Sequence, residues 1–325
     1  MLNFANISLS EPFFQAPLSG YSDYPMRKLA RSFGATLTFA GVMLAKSAAN
    51  PKVLKKPFFT PHDDEHPIGA QILGDDPKIM AKAAMQLQKV GYDIIDLNFA
   101  CPAPKVLRRH RGGYLLNDPQ KAVDIYNAVR DTVDCPVTVK LRIGYDNKEQ
   151  SIDNFWHIVS HCCKEGVDAL TIHGRTVTQK FRHSADWRVL AEVKREFPKT
   201  IIIGSGDLFD ASDTVEKLRA SGLDGVAVAR GAIGNPWIFS QLKALFKGNP
   251  LPDYPTLTEQ AKTILKHFEW VSRWYEKAKA VRFFRKFLVN YCKLHPHRRK
   301  AQKDLLAAAD HRQLLEAIEN WYCSN

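Results

Sequence analysis

Short apolar runs rich in β-formers recur eight times between Phe13 and Ala229, and a longer helix-period segment follows most of them. The runs are Phe13–Leu18, Leu37–Val42, Ile68–Leu73, Ile94–Asn98, Val137–Leu141, Ala169–His173, Ile201–Gly204 and Gly225–Ala229. They are nearly continuous in apolar character, as parallel strands covered on both faces require. Leu37–Val42 fits least well, because it alternates poorly and the stretch after it is irregular. Between the runs, Asp75–Val90 sets Ile79, Ala83 and Leu87 on one helical face. Asp76-Pro77 and Asn117-Asp118-Pro119 are helix starts with proline in the first turn. Helices are predicted over Gln120–Val133, Asp153–Glu165, Trp187–Phe197 and Ala211–Ser221, with Gly166 and Gly222 as stop signals. Eight strand–helix units in roughly 245 residues predict a closed (β/α)8 TIM barrel. An open doubly wound sheet is the alternative, but it needs a G-x-G-x-x-G turn after its first strand. Here that strand ends in Ala16-Pro17-Leu18-Ser19-Gly20.

The Gly/Pro cluster from Lys247 through Pro255 reads as a linker. Beyond it, Glu259–Tyr275, Lys277–Leu294 and Lys300–Tyr322 are helical by pattern, enough for a bundle of three or four helices. The expected organisation is an α/β barrel over 1–247, a linker over 248–255 and a small all-helical domain over 256–325. Composition supports a globular chain, since 45% hydrophobic and 25% charged residues exclude disordered, collagenous and coiled-coil classes. The six cysteines are scattered without zinc or disulfide spacing, which suits a reducing compartment and predicts no metal site. No apolar run reaches the ~18 residues of a membrane span, and no positive charge precedes Arg27. A cytoplasmic monomer with no membrane segment is expected.

Lys and Arg number 46 against 34 Asp and Glu, a net charge of +12. Residues 256–325 hold 14 Lys/Arg against 7 Asp/Glu, so over half of the excess lies in the last fifth of the chain. Aromatic residues are interleaved there, most of them bundle core. As a patch, Arg282, Arg285, Lys286, Lys293, Arg298, Arg299 and Lys300 resemble a phosphate-backbone footprint. The loop Lys105–Arg111, with Arg108 and Arg109, adds a second cationic segment. A solvated basic face is the simpler alternative for both.

In such a barrel the chemistry sits at the C-terminal strand ends. Those ends carry Ser19, Gln71, Asn98, Lys140, Arg142, His173, the Gly204–Asp207 turn and Ala229-Arg230-Gly231. Small residues after the seventh and eighth strands let backbone N–H groups approach an anion, and Ile233 onward can open a helix facing it. Cys101 follows Asn98 at a loop start. An ordinary thiol, with a pKa of ~8.5, is a general acid at neutral pH, or a nucleophile beside a cation. An interior lysine such as Lys140 calls for an anionic partner, either a bound group or Asp96. His173 is a ligand contact or a satisfied core histidine.

The segments D-L-N-F-A-C-P (96–102), R-G-G-Y-L-L (111–116), V-K-L-R-I-G (139–144), T-I-H-G-R-T (171–176), A-D-W (185–187) and V-A-R-G-A-I-G-N-P-W-I-F (228–239) occur in order. Together they resemble the tRNA-dihydrouridine synthase family, most nearly its bacterial B-type branch. The resemblance implies a flavin-dependent reductase of uridine in tRNA, with FMN across the barrel mouth and NADPH (or NADH) as electron donor. It implies FMN contacts at Pro17, Leu18, Ser19, Gln71, Lys140, His173, Ser205, Gly206, Asp207, Ala229 and Arg230. Cys101 matches the catalytic cysteine, and Asn98 and Arg175 match positions facing the uracil. The basic helical region and the Lys105–Arg111 loop would hold the tRNA. Three positions depart from the commonest family pattern, all to small residues: Ala100 for Gly, Ser205 for Asn and Ala229 for Gly. Two other readings remain from sequence: an FMN barrel acting on a small molecule, and a non-catalytic RNA-binding protein.

Overall fold

The computed structural model describes residues 2–323, apart from the side chains at 277 and 278. Met1, Ser324 and Asn325, which fall within the expected domain ranges, lie outside the described residues. Eight parallel strands close into a barrel: β1 (Phe13–Gln15), β2 (Thr38–Phe39), β3 (Ile68–Leu73), β4 (Ile94–Phe99), β5 (Val137–Arg142), β6 (Ala169–His173), β7 (Ile202–Ser205) and β8 (Gly225–Val228). Closure comes from β8 pairing with β1, and β1 with β2. The open-sheet alternative is therefore excluded. The expected second strand, Leu37–Val42, is interrupted after Phe39. The chain resumes pairing with β3 only at Met43–Leu44.

Side chains alternate along each strand. On β4, Ile95, Leu97 and Phe99 point outward to the helices, while Ile94, Asp96 and Asn98 point into the barrel. The lower interior is apolar, built from Phe14, Leu37, Phe39, Ile94, Ala169, Ile203 and Ala227. An N-terminal hairpin, Leu2–Phe4 with Ile7–Leu9, closes that end with Leu2, Phe4 and Leu9. Gln71, Asn98, Lys140 and His173 face the interior toward the C-terminal ends of their strands.

Helices between the strands start where their caps dictate. Asp76, Asp118, Asp186 and Asp210 each accept a backbone N–H at the start of Pro77–Lys89, Pro119–Arg130, Trp187–Glu196 and Ala211–Ser221. Residues 248–256 join the last barrel helix, Trp237–Phe246, to four more: Leu257–Trp274, Lys277–Tyr291, Arg298–Ala307 and His311–Tyr322. The expected Lys300–Tyr322 helix is two helices, because Asp310 caps a new start through the Gln313 N–H. No helix among the described residues is long and apolar enough to cross a membrane.

Candidate active site

The C-terminal strand ends surround a cavity of about 550 Å³. Pro17, Leu18 and Ser19 after β1, Gln71 on β3, Asn98 and Cys101 from β4, Lys140 on β5 and His173 on β6 all line it. Ser205, Gly206, Asp207, Ala229 and Arg230, after β7 and β8, complete the sequence-expected set.

The Cys101 loop is held by its backbone. Asn98 Oδ1 accepts the N–H groups of Ala100 and Cys101 at 3.1 and 3.0 Å. Arg142 Nε donates to the Ala100 carbonyl at 2.8 Å, and the Gly113 N–H donates to the Cys101 carbonyl at 3.1 Å. This explains the glycines of 111–113: Gly112 has φ +59°, and a Cβ on Gly113 would stand 2.6 Å from Val177. Cys101 itself stays partly exposed to the cavity.

Lys140 Nζ is shielded from solvent and has no hydrogen-bond partner among the described residues. Burial pushes its amine down to about 8, opposed by the charge of Asp96. Asp96 does not bind it; the Asp96 oxygens accept from Gln71 and Thr138. The cation therefore points at the cavity unpaired. Burial, then the charges of Arg142, Lys140, Arg175 and Arg230, push His173 down to about 2. The unfolded chain takes up this proton near pH 6.5 and the native state does not. Its contribution to stability is therefore complete above pH 6.5 and is lost as pH falls toward 2. Between pH 7 and 5 this should cost about 2 kcal/mol. Urea unfolding of the wild type and of His173→Asn at both pH values checks it: the wild type should lose about 2 kcal/mol relative to the variant, a comparison that cancels the opposite trend from the raised Asp96 carboxyl.

The turn after β7 is built by the A-D-W segment. A Cβ on Gly204 would lie 2.3 Å from the Trp187 ring, and one on Gly206 would lie 2.7 Å from Ala185 Cβ. Asp207 adopts φ +55°, and its carboxylate accepts from Arg175 at 2.7 Å and from the Ala185 N–H at 2.8 Å. Arg175, expected to face the uracil, is 2% exposed and does not line the cavity. Its guanidinium is occupied by Asp207 and by the Arg182 and His183 carbonyls. The helix expected from Ile233 onward starts four residues later. Arg230–Ala232 forms a 3-10 turn, and the helix begins at Trp237. The Arg230 guanidinium lies 4.2 and 5.3 Å from the ring centres of Phe181 and Phe209, which are half exposed at the rim.

The helical region reaches the same cavity through Asn290 and Lys293. Gly234 permits this approach: with φ +69°, its missing Cβ would sit 2.4 Å from Tyr291 N. Lys286 donates to the Gly20 carbonyl and lies over the Tyr21 and Phe287 rings. Arg285 donates to the Ala308 carbonyl. Both are half-buried in packing seams and are not free cations on an open face. Lys105, Arg108 and Arg109, around the single turn Pro104–Leu107, are exposed, as are Arg298 and Arg299. Sequence reasoning missed Phe181, Phe209 and Asn290 at the cavity, none of which carries a local signal, and the loop-holding task of Arg142. No group of three or more His, Cys, Asp or Glu among the described residues could hold a metal ion.

A sequence profile described as Dihydrouridine synthase matches residues 14–322. The protein named "Probable tRNA-dihydrouridine synthase" from Rickettsia conorii is 32% identical over 326 residues, covering 100% of this chain and 97% of its own length. "tRNA-dihydrouridine synthase B" of Pasteurella multocida is 32% identical, over 99% of this chain and 96% of its own. Among solved structures, morphinone reductase in complex with tetrahydroNAD is similar in fold, with TM-score 0.53 and 14% identity over 78% of this chain and 91% of that one. Ordered motifs, the barrel and full-length relatives agree: the chain belongs to the dihydrouridine synthase family of tRNA-modifying oxidoreductases.

Proposed function

We propose that the protein reduces the C5=C6 bond of specific uridines in tRNA, with FMN in the barrel-mouth cavity and NADPH or NADH as electron source. The observation that carries this reading is the unpaired, shielded Lys140 Nζ facing the same cavity as Cys101. The residues fit FMN. The cavity volume is within the ~300–1,000 Å³ typical of cofactor sites, and the orphaned ammonium needs an anionic or carbonyl partner. Gln71, Lys140 and His173 would hold the ring system, with Pro17, Leu18 and Ser19 along its edge. Ser205, Gly206, Asp207, Ala229 and Arg230 would hold the phosphate end. When bound and reduced, FMN supplies a hydride to C6 of the uracil.

The chain's own groups do the rest. The Cys101 thiol donates a proton to C5, which completes the two-electron reduction, and solvent reprotonates the thiolate. Asn98 fixes the cysteine backbone and faces the base. Lys140 places positive charge where the electron-rich ring lies. Neutral His173 can accept or donate a hydrogen bond without adding a charge. Arg175 acts through Asp207 and shapes the loop. The target uridine must leave its stack to enter, at a cost of a few kcal/mol.

The barrel of 1–247 carries the chemistry in this reading, and 256–325, joined through 248–255, orients the tRNA. Lys105, Arg108, Arg109, Arg298 and Arg299 supply phosphate contacts, with a smaller share from Arg285 and Lys286. Replacing Arg298 and Arg299 together by alanine should weaken tRNA binding. It should also lower the slope of log K against log salt by roughly 0.7–0.9 per lost contact. Binding isotherms at several salt concentrations measure both.

Position-by-position mass spectrometry of tRNA from cells with and without the gene tests the whole reading. Dihydrouridine missing at particular positions supports it and names the target. An unchanged profile in tRNA overturns tRNA as the substrate.

A further inference from the structure

One layer deeper in the barrel than Lys140 lies the Asp96 carboxylate, 2% exposed and unused by the chemistry above. Its Oδ1 accepts from Thr138 Oγ1 at 2.7 Å, and its Oδ2 from Gln71 Nε2 at 2.6 Å. Gln71 Oε1 in turn accepts from Asn98 Nδ2 at 2.7 Å. Asn98 Oδ1 then accepts the two backbone N–H groups of the Cys101 loop. A carboxamide has one donor end and one acceptor end of nearly equal shape. Two in series take one polarity when the groups at the ends of the relay agree on it, and every link is satisfied only if the lower end offers an acceptor. At the upper end, two backbone N–H groups can only donate. At the lower end, an ionised carboxylate can only accept.

We propose that Asp96 is a positioning residue, the terminal acceptor of a hydrogen-bond relay through Gln71 and Asn98 that holds the Cys101 loop. Without that acceptor, Gln71 Nε2 is a buried donor with no partner, which is costly. The amide turns to find one, Asn98 loses its lower contact, and the loop is released. Burial raises the Asp96 carboxyl to about 6, so it is anionic and an acceptor at neutral pH. The catalytic consequence rests on the proposed role of Cys101; the holding of the loop does not.

Amide hydrogen exchange of the full-length protein at neutral pH, with steady-state kinetics on tRNA, tests this in Asp96→Leu and Asp96→Asn. Asp96→Leu should speed exchange at Ala100 and Cys101 by about tenfold, while the barrel-strand amides exchange as before. It should lower kcat by about the same factor and leave the KM for tRNA unchanged. Asp96→Asn should restore both, because its Oδ1 still accepts from Gln71 and the Thr138 hydroxyl can accept from its Nδ2. Normal exchange in Asp96→Leu overturns the proposal. So does exchange in Asp96→Asn as fast as in Asp96→Leu, whereas fast exchange in Asp96→Leu with kcat unchanged upholds the relay and overturns only its catalytic consequence. Full activity in Cys101→Ala would overturn the proton-donor reading alone, so the two failures are distinguishable. If Asp96→Leu does not fold, Gln71→Leu cuts the relay at its next link. It must then give the same exchange signature, and normal exchange there overturns the proposal.

Discussion

Cys101→Ala should slow dihydrouridine formation by roughly 10²–10⁴-fold, the range for a lost general acid, while the purified protein keeps its flavin. None of the contacts that fix this loop uses the sulfur. They run from Asn98, Arg142 and Gly113 to backbone atoms. Alanine therefore removes the proposed proton donor and leaves the loop where it is. Cys101→Ser, a much weaker acid of similar size, should fall between the two. Single-turnover conversion of uridine in tRNA, followed by nucleoside mass spectrometry, gives the rates, and the visible spectrum gives flavin content. Turnover at the wild-type rate in the alanine variant would remove the cysteine's acid role.

The second large effect is expected at Gly234→Ala. Its φ of +69° is left-handed, and a side chain there costs ~1–2 kcal/mol before any contact is counted. The new Cβ would also meet Tyr291 N at 2.4 Å and Asn290 C at 2.5 Å, both backbone atoms of one helix. A backbone atom in a packed helix cannot swing aside as a flexible side chain can, so the Lys277–Tyr291 helix must move off the barrel. Together these should reduce stability by about 3 kcal/mol or more. Urea unfolding should show the loss as a lower midpoint. A midpoint equal to that of the wild type would mean that the helix does not need this approach.

The sequence made the barrel legible because parallel strands buried on both faces read as apolar runs. It failed where geometry is set from a distance. The interruption of the second strand after Phe39 has no periodic signature. The break before Asp310 falls in an alanine run with neither glycine nor proline, and only the capping aspartate marked it. The hairpin of three-residue strands is too short for alternation to register. At the site, Cys101, Lys140, Gln71 and His173 were findable because strand ends are enough to place them. Asp96 drew notice only as an ion-pair partner for Lys140, which it is not; the carboxylate binds Thr138 and Gln71. Arg175 looked like a substrate contact because nothing local reveals that Asp207, 32 residues on, takes its guanidinium. Arg285 and Lys286 stand in a basic run, and only folding shows that carbonyls of Ala308 and Gly20 occupy them.

Asn290 and Lys293 belong to the helical region, yet they form part of the wall around the barrel mouth. The region is therefore not an interchangeable cassette. A chimera carrying a relative's helices would import a foreign piece of the cavity wall along with a new outer surface. If this region orients the tRNA as proposed, recombination that retargets the protein to another uridine would have to refit that wall at the same time. In that reading, changes in the choice of nucleotide and changes in the barrel-mouth cavity are mechanically yoked through Asn290 and Lys293.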